Sequence, residues 1–319
     1  MAKVGGIMKV QVVTPCLNDA ESLDKLVRDF SHLSIPDTEF QILVVDDGSI
    51  PSIDIQADWI QGLVRNVEVI RLSTNFGHQR AIAVGLCFSY DNSDFDYLLV
   101  IDSDGEDRPE NVRALLEAAH KAPGAVVVAT RSSRTESLRF RGFYAVFKGL
   151  FRFATGKNMD FGNFVLLPQS CVESLVSTES LWNHFPGTVM RSRSLITRVN
   201  LPRSNRYAGE SRMNFISLVN HGLSSMSVFL DVMLTRMIFI VAALVGVGVV
   251  AILSFLVMRF VVTLHISDWM SIAFGLSALG LFQVLVTLVA TIFLVLVTRS
   301  RVPEVPLKTY QVLLSCSGK

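Results

Sequence analysis

The residues best suited to chemistry are acidic and follow an apolar run at 97–101. Asp102 and Asp104 stand two positions apart there, and Glu106 adds a third carboxylate. Two carboxylates at positions i and i+2 after a strand can converge on one divalent cation, and hard oxygen ligands suit Mg²⁺ or Mn²⁺ bridged to substrate phosphates. The spacing alone leaves open an ordinary solvated turn before Pro109.

A second acidic pair follows another apolar run, FQILVV at 40–45. It consists of Asp46 and Asp47, with Gly48 and Ser49 directly behind them. Aspartates in this place can accept hydrogen bonds from a uracil ring N–H or a ribose hydroxyl, and Gly48 permits a tight turn. The alternative is a strand-to-helix turn with a helix N-cap and no ligand.

Both acidic pairs lie within an alternation of apolar runs and helical patterns. Apolar runs at 9–14, 40–45, 67–72, 97–101 and 125–130 predict strands, and patterns at 19–30, 80–90 and 111–120 predict helices. Strands that are apolar throughout and separated by helices predict a parallel sheet covered on both faces. Ligands bind beyond the carboxyl ends of such strands, where both acidic pairs stand.

Composition excludes some functions. The net charge is only +1, which argues against a nucleic-acid partner. The four cysteines are far apart and have no metal-ligand spacing, so we expect reduced thiols without a chemical role; they are Cys16, Cys87, Cys171 and Cys316. The first residues, MAKVGGIMKV, lack a long apolar core and a cleavage site, and therefore predict no signal peptide.

Two long apolar stretches, 236–264 and 271–298, predict membrane spans. Each exceeds the roughly 20 residues that cross about 30 Å of hydrocarbon. A backbone in lipid must satisfy its own hydrogen bonds, so both stretches must be helices, and the short connection makes them a hairpin. A pair of buried core helices is the alternative.

Basic residues predict the orientation of this hairpin. Arg236 precedes the first stretch, and Arg299, Arg301 and Lys308 follow the second, so they outnumber the positive charges near the short connection. Positive residues favour the cytoplasmic side. We therefore expect a multi-pass protein of the cell inner membrane, with the large domain and both termini in the cytoplasm.

Four motifs, taken together, carry a resemblance to a known family. They are TPCLND at 14–19, VVDDGS at 44–49, NFGH at 75–78 and DSDGEDRPE at 102–110. In order, spacing and strand context they resemble the family-2 inverting glycosyltransferases, which use nucleotide-diphosphate sugars. With the two spans, the chain is similar to the polyisoprenyl-phosphate branch, which includes dolichol-phosphate mannose synthases and bacterial undecaprenyl-phosphate sugar transferases.

The resemblance implies an α/β fold with a GT-A domain, which is Rossmann-like with a mainly parallel sheet. The implied segments are a cytoplasmic GT-A domain at 1–214, an amphipathic juxtamembrane helix at 215–235, transmembrane helices at 236–264 and 271–298, and a cytoplasmic tail at 299–319. The implied partners are a UDP- or GDP-sugar, a polyisoprenyl phosphate and the membrane. The oligomeric state is left open, a homo-oligomer included.

The resemblance also implies roles for single residues. Nucleotide-sugar binding falls to Pro15, Asn18, Asp19, Asp46, Asp47, Asp102 and Asp104. Asp104 would be the principal ligand of Mg²⁺ or Mn²⁺ and Glu106 a second one. Relatives often carry Leu-Gln where this chain has Gly105 and Glu106. The extra carboxylate would strengthen metal binding or alter the sugar contacts, so the sugar stays unnamed.

Asn163 stands where many relatives carry an aspartate that is treated as catalytic or acceptor-binding. An asparagine cannot be a general base. A phosphomonoester has a second pKa of about 6, so such an acceptor is largely its own nucleophile at neutral pH. Asp160 is a substitute candidate, and a plain structural turn at 160–164 is the alternative.

Basic residues downstream are candidates for phosphate binding, since arginine pairs bidentately with phosphate oxygens. Arg131 and Arg134 follow the fifth apolar run, and the sequence RYAGESRM at 206–213 resembles the family's acceptor loop. Arg131, Arg134, Ser211 and Arg212 are the acceptor-phosphate candidates. For Arg131 and Arg134 a plain surface charge is the alternative. Residues 215–230 have the apolar spacing of a helix at a membrane surface, although an ordinary domain helix has the same pattern.

The predicted function is inverting transfer of a sugar to a polyisoprenyl phosphate, with Asp104, Asn163, Asp160, Arg131, Arg206 and Arg212 as catalytic candidates. One alternative is transfer to a hydroxyl of a glycolipid or polysaccharide, which needs a base. A second is a catalytically inactive membrane scaffold or regulatory paralogue, against which the intact acidic pairs argue.

Overall fold

The computed structural model describes residues 6–131, 148–209, 215–260, 268–299 and 303–315. The chain divides into two units. The first contains Met1–Phe229 together with Glu304–Lys319, and the second is Leu230–Pro303. The segment predicted as a tail therefore contributes to the first unit.

The first unit is built on a seven-stranded sheet with the strand order β3-β2-β1-β4-β6-β5-β7. The strands are β1 (Met8–Cys16), β2 (Thr38–Asp46), β3 (Val64–Arg71), β4 (Tyr97–Val100), β5 (Val126–Arg131), β6 (Phe161–Pro168) and β7 (Ile196–Leu201). Pairing is parallel except at β6, which runs antiparallel to both β4 and β5. The five predicted strands and the mainly parallel sheet are confirmed, while β6 and β7 were not predicted.

Helices cover both faces of this sheet. They are α1 (Ala20–Ser31), α2 (His78–Asn92), α3 (Val112–Lys121), α4 (148–155), α5 (Gln169–Val176), α6 (Phe185–Arg191), α7 (Phe215–Ser227) and, after the second unit, α10 (Pro306–Thr309). Alternate residues of β2 enter different cores: Leu43 and Val45 one, Ile42 and Val44 the other. Burial on both sides explains why this strand is apolar throughout.

The second unit consists of α8 (Leu230–Phe260) and α9 (Asp268–Arg299). Both helices are long and apolar enough to cross a membrane. Phe255 and Phe274 stack with ring centroids 3.9 Å apart. A Cβ at Gly248 would lie 2.3 Å from Leu281 Cδ1, so this glycine lets the two helices approach closely.

The expected single helix at 215–235 is wrong, because α7 and α8 are separate. Between them Val228 and Phe229 are buried in a core of the first unit. Phe229 packs edge-on against Phe151 of α4, with ring centroids 5.7 Å apart. The helix is interrupted at Val228 and Phe229, whose side chains are buried in this core, and residues 230–235 belong to α8.

The cysteines of the described part are free, as expected, and they are also buried; they are Cys16, Cys87 and Cys171. Burial raises the pKa of the Cys16 thiol to about 11, which keeps it protonated at neutral pH. Cys316 lies outside the described residues.

Helix α2 approaches the sheet closely at Gly85, and this contact is testable. A Cβ there would lie 2.4 Å from Val13 Cγ1 and 2.9 Å from Val45 Cγ2. We expect Gly85→Ala to destabilise the protein by about 1–3 kcal/mol, because overpacking displaces the helix. The measurement is thermal unfolding of the full chain in detergent.

The matched control is Gly149→Ala in α4, where a Cβ would meet nothing within 4 Å. The unfolding temperature of that variant should equal or exceed that of wild type, because alanine is a better helix former than glycine. Equal unfolding temperatures for both variants would contradict the close approach of α2 to the sheet.

Candidate active site

The site is centred on Asp102, which follows β4, and on Asn163 of β6. The antiparallel register pairs Val100 with Val165, and its continuation by two residues places Asp102 opposite Asn163. Asn163 Nδ2 lies 3.1 Å from Asp102 Oδ1 and 3.3 Å from Oδ2 and donates to this carboxylate. The amide at this position thus stabilises the Asp102 carboxylate, whereas another carboxylate there would repel it.

His78, the first residue of α2, joins this pair. Its Nε2 lies 3.1 Å from Asp102 Oδ1 and 2.9 Å from Asn163 Nδ2. Burial alone lowers the pKa of His78, but Asp102, Asp104 and Asp47 outweigh burial and raise the pKa above its ordinary value. Positive charge at His78 is therefore favoured beside the acidic pair.

Asp104 lies between a like charge and an arginine. Burial, followed by the charge of Asp102, raises the pKa of Asp104 to about 6, although Arg206 and Arg203 act in the opposite direction. The distance from Arg206 Nη1 to Asp104 Oδ2 is 3.4 Å. Arg206 Nη2 also lies 3.8 Å from Asp19 Oδ2. The arginine thereby connects the acidic pair to the start of α1.

The segment after β7 closes over the acidic turn. Tyr207 N–H donates to the Asp104 carbonyl oxygen (2.9 Å), and Ser204 N–H donates to that of Glu106 (2.9 Å). Gly105 has a φ of 79°, and a Cβ there would lie 2.0 Å from Tyr207 Cδ2. Only glycine at position 105 leaves room for this aromatic ring.

Glu106 forms an ion pair with Arg203. This pairing bears on its predicted role as a second metal ligand, because the carboxylate is already engaged by a cation. In the part of the chain that the structure describes, no three His, Cys, Asp or Glu side chains are grouped to hold a metal ion. Asp102 and Asp104 lie at the same turn, where Asp102 contacts His78 and Asn163 and Asp104 faces Arg206.

Two carboxylates fit a cation that is shared with a substrate. Mg²⁺ is usually bound through one or two carboxylates, with the other positions filled by water and phosphate oxygens. Because burial and the charge of Asp102 raise the pKa of Asp104, a cation bound beside this pair would stabilise the charged form of Asp104. The donor set therefore fits a hard divalent cation bound together with a diphosphate.

The turn after β2 is organised by Asp46 and Asn18. Asp46 Oδ1 accepts from Ser49 N–H (2.8 Å), and Oδ2 accepts from Ile53 N–H (3.2 Å). Asn18 N–H donates to Ser49 Oγ, and Asn18 Oδ1 accepts from Ile50 N–H, both at 2.8 Å. These side chains tie the β1–α1 and β2 turns together.

Asp47 organises the loop between β3 and α2. Its Oδ1 accepts from Phe76 N–H (2.8 Å), and its Oδ2 accepts from Gly77 N–H (3.0 Å). Burial raises the pKa of Asp47, and these two backbone donors partly offset the effect. Its carboxylate thus supports the loop that carries His78.

A cavity of about 600 Å³ opens beside these turns. Its lining includes Asn18, Asp19, Ser49, Ile53 and Trp59. Pro15, also predicted to bind the nucleotide, lies in β1 and pairs with Val45. The residues predicted to bind a nucleoside therefore gather at the carboxyl ends of β1 and β2.

Other predicted residues lie elsewhere. Asp160 Oδ2 accepts from Arg198 Nε of β7 at 2.8 Å, so this carboxylate is paired within the sheet. The expected loop or turn at 160–164 is largely strand β6. Arg131 ends β5, and its side chain is not described. Arg134, Ser211 and Arg212 lie outside the described residues.

Sequence reasoning missed Gln79 and Arg203, and it recognised His78 as part of the NFGH motif without giving this residue a role. Gln79 Oε1 accepts from Phe185 N–H (2.7 Å), and Gln79 Nε2 donates to Asn163 Oδ1 (3.3 Å), so it fixes the orientation of the Asn163 amide. Gln79 directly follows the recognised NFGH motif. Arg203 would have been noticed had β7 been predicted, since it follows that strand.

Comparison with solved structures indicates the same fold. Glucosyl-3-phosphoglycerate synthase from Mycobacterium tuberculosis, in complex with Mn²⁺, UDP and glucosyl-3-phosphoglycerate, is similar with a TM-score of 0.51 and 17% identity, over 71% of this chain and 80% of that one. The complex of the same enzyme with Mn²⁺, UDP-glucose and phosphoglyceric acid has a TM-score of 0.51 and 19% identity, over 70% of this chain and 79% of that one. The sheet is that of the GT-A fold.

Curated relatives are undecaprenyl-phosphate 4-deoxy-4-formamido-L-arabinose transferases. The protein from Photorhabdus laumondii is 26% identical over 219 residues, which are 67% of this chain and 66% of the relative. The protein from Enterobacter sp. (strain 638) is 27% identical over 225 residues, 69% and 67% respectively. The match thus spans about two thirds of the relatives' length.

The family model described as glycosyl transferase family 2 matches residues 11–185. This range includes both acidic pairs, His78 and Asn163. The chain belongs to glycosyl transferase family 2 and is a glycosyltransferase.

Proposed function

We propose that the protein transfers a sugar from a nucleotide-diphosphate sugar to a polyisoprenyl phosphate, with inversion at the anomeric carbon. The observation that carries the proposal is the partly buried pair Asp102 and Asp104 with Arg206 and Arg203 beside it. This arrangement suits a divalent cation and a diphosphate. The names of the relatives supply the acceptor class, undecaprenyl phosphate.

On the donor side, the nucleoside would occupy the turns held by Asn18 and Asp46, with its diphosphate directed toward Asp104. Asp102 and Asp104 would hold Mg²⁺ or Mn²⁺. The cation would neutralise the charge that develops on the departing diphosphate. Arg206 is placed to bind the same group, because it already spans Asp104 and Asp19. UDP and GDP remain alternatives as the nucleotide.

On the acceptor side, a phosphate oxygen of the lipid forms the new bond to the anomeric carbon from the face opposite the diphosphate. The bond from that carbon to the diphosphate oxygen breaks, and the nucleoside diphosphate leaves. A phosphate dianion needs no general base, which agrees with an asparagine at position 163. A hydroxyl acceptor would need such a base, and Asp160 is engaged by Arg198.

We place the acceptor in a membrane that α8 and α9 cross as a hairpin, with the first unit on the cytoplasmic side. Residues 304–315 belong to the same unit as the catalytic sheet. A chain that leaves this unit at Phe229 and re-enters it at Glu304 must return to the side from which it started. Basic residues at 236, 299, 301 and 308 favour the cytoplasm for that side.

The function is tested by incubating the full chain with radiolabelled UDP- and GDP-sugars and scoring label in lipid. We expect metal-dependent labelling of polyprenyl phosphate and none of glycolipid or polysaccharide hydroxyls. Asp104→Asn should lower kcat by at least about 100-fold, because it removes charge that binds the cation and diphosphate. Glu173→Gln, an exposed change in α5, is the matched control and should retain full activity.

If only a hydroxyl acceptor is labelled, the proposed polyisoprenyl-phosphate acceptor is wrong and the acceptor is a hydroxyl. An Asp104→Asn protein with full metal-dependent activity would refute the site. A chain that labels nothing while binding no UDP or GDP would favour the inactive scaffold.

The raised pKa of Asp104 predicts a pH-dependent stability difference. Its folded pKa of about 6 exceeds the unfolded value of about 4. A carboxyl group whose pKa is higher in the folded state contributes stability at pH values below its pKa in the unfolded state. This contribution is lost as the pH rises through its pKa in the folded state. In EDTA, Asp104→Asn should therefore unfold at a higher temperature than wild type above about pH 6, and the difference should vanish near pH 4.

The measurement is thermal unfolding of both proteins across this pH range, repeated with Mg²⁺ and with Mn²⁺. Either ion should raise the unfolding temperature of wild type alone, because only wild type keeps the charged pair. A difference between the proteins that does not change with pH would contradict the raised pKa of Asp104 beside the like charge of Asp102.

The membrane topology is tested with single cysteines in sealed vesicles after Cys316 is replaced. Val312 and Leu195 are 81% and 78% exposed and belong to the first unit. Val312→Cys and Leu195→Cys should both react with a membrane-impermeant maleimide in inside-out vesicles. Neither variant should react in right-side-out vesicles. Labelling of the two positions from opposite sides would rule out the hairpin.

A further inference from the structure

The segment 304–315, which follows α9, adds a short strand-like edge to the catalytic sheet. Ser73 N–H donates to the Leu313 carbonyl oxygen (2.9 Å), and Ser315 N–H donates to that of Arg71 (2.8 Å). Between these hydrogen bonds, Leu72 and Leu314 form an antiparallel bridge. The segment therefore holds the chain directly after β3, the edge strand of the sheet.

The same segment is anchored on α2. Tyr310 is only 2% exposed, and its hydroxyl donates to Asp91 Oδ2 near the end of α2 (2.8 Å). Leu307 and Leu313 pack against the core that α2 shares with the sheet. Side chains of this size and burial make the segment a fixed part of the unit.

The first attachment directly precedes the loop at 74–77, which joins β3 to α2, and the second holds the opposite end of α2. The loop is the one whose Phe76 and Gly77 N–H groups bind Asp47, and His78 beside Asp102 follows it. It also lies tightly on the β2 turn, since a Cβ at Gly48 would be 2.9 Å from Asn75 N. One side of the loop is thus held by the site, and its beginning, at Leu72 and Ser73, is held by the C-terminal segment.

We propose that segment 304–315 is a positioning element for donor binding. It fixes the loop at 74–77 in the shape that supports Asp47 and brings His78 to Asp102. The proposal rests on the proposed function only in taking a nucleotide sugar as the ligand. Because residue 304 follows α9 in the chain, the donor site is complete only in a protein whose chain has returned from the second apolar helix.

Ser315→Pro tests this with the loss of one hydrogen bond. Proline lacks the N–H that binds the Arg71 carbonyl. The preceding residue, Leu314, has φ −70° and ψ 144°, a conformation that proline allows before it. Ser315→Ala is the matched control, since it keeps the N–H. Tyr310→Phe, which removes only the hydroxyl bound to Asp91, tests the second attachment.

The full chain in detergent is titrated with UDP and with GDP in the presence of Mn²⁺, and the donor KM and kcat are measured. We expect Ser315→Pro to weaken binding of the preferred nucleotide and to raise the donor KM by about threefold or more, with kcat nearly unchanged. Tyr310→Phe should also weaken nucleotide binding and raise the donor KM, each by a smaller factor. Ser315→Ala should match wild type.

Hydrogen exchange supplies a second readout that needs no ligand. In Ser315→Pro the amides at 73–78 should exchange faster, while those of α1 keep the wild-type rate. A lower kcat with unchanged KM, or faster exchange throughout the sheet, would overturn the proposal in favour of general stabilisation. If wild type binds neither UDP nor GDP, the proposed function fails, and the exchange result alone decides whether the segment positions the loop.

Discussion

The charges of two partly buried carboxylates, Asp102 and Asp104, are the constraint around which this site is arranged. Burial, followed by the like charge of Asp102, raises the pKa of Asp104 to about 6. The surroundings supply compensation in three forms: the Asn163 amide, the His78 ring and the Arg206 guanidinium. What remains uncompensated is suited to a divalent cation.

The antiparallel strand β6 makes this compensation possible. In a purely parallel sheet, residues beyond the carboxyl end of β4 meet only the carboxyl ends of neighbouring strands. Because β6 runs the other way, its first residues lie beside the end of β4, and Asn163 faces Asp102. Gln79 then fixes the Asn163 amide from a third element. Residues far apart in sequence thus share one hydrogen-bond network.

The sequence was sufficient for the five apolar strands and for the acidic turns at their ends, because burial on both faces leaves a local pattern. It was insufficient for β7, a run of only six residues in which polar side chains such as Arg198 leave a weak strand signal. Without β7, Arg203 had no place near Glu106, and the ion pair between these two side chains was not predicted. The missing information was the pairing of distant segments, which no local pattern contains.

The departures from the family pattern are therefore best treated as a set. Gly105 is matched by the Tyr207 ring that fills its missing side chain, Glu106 by Arg203, and Asn163 by Asp102. Each pairing joins the acidic turn to an element later in the chain, either β6 or the segment after β7. Replacing one member by the common family residue would leave its partner without room or without its counter-charge. The acidic turn, β6 and the segment after β7 consequently constrain one another's sequence.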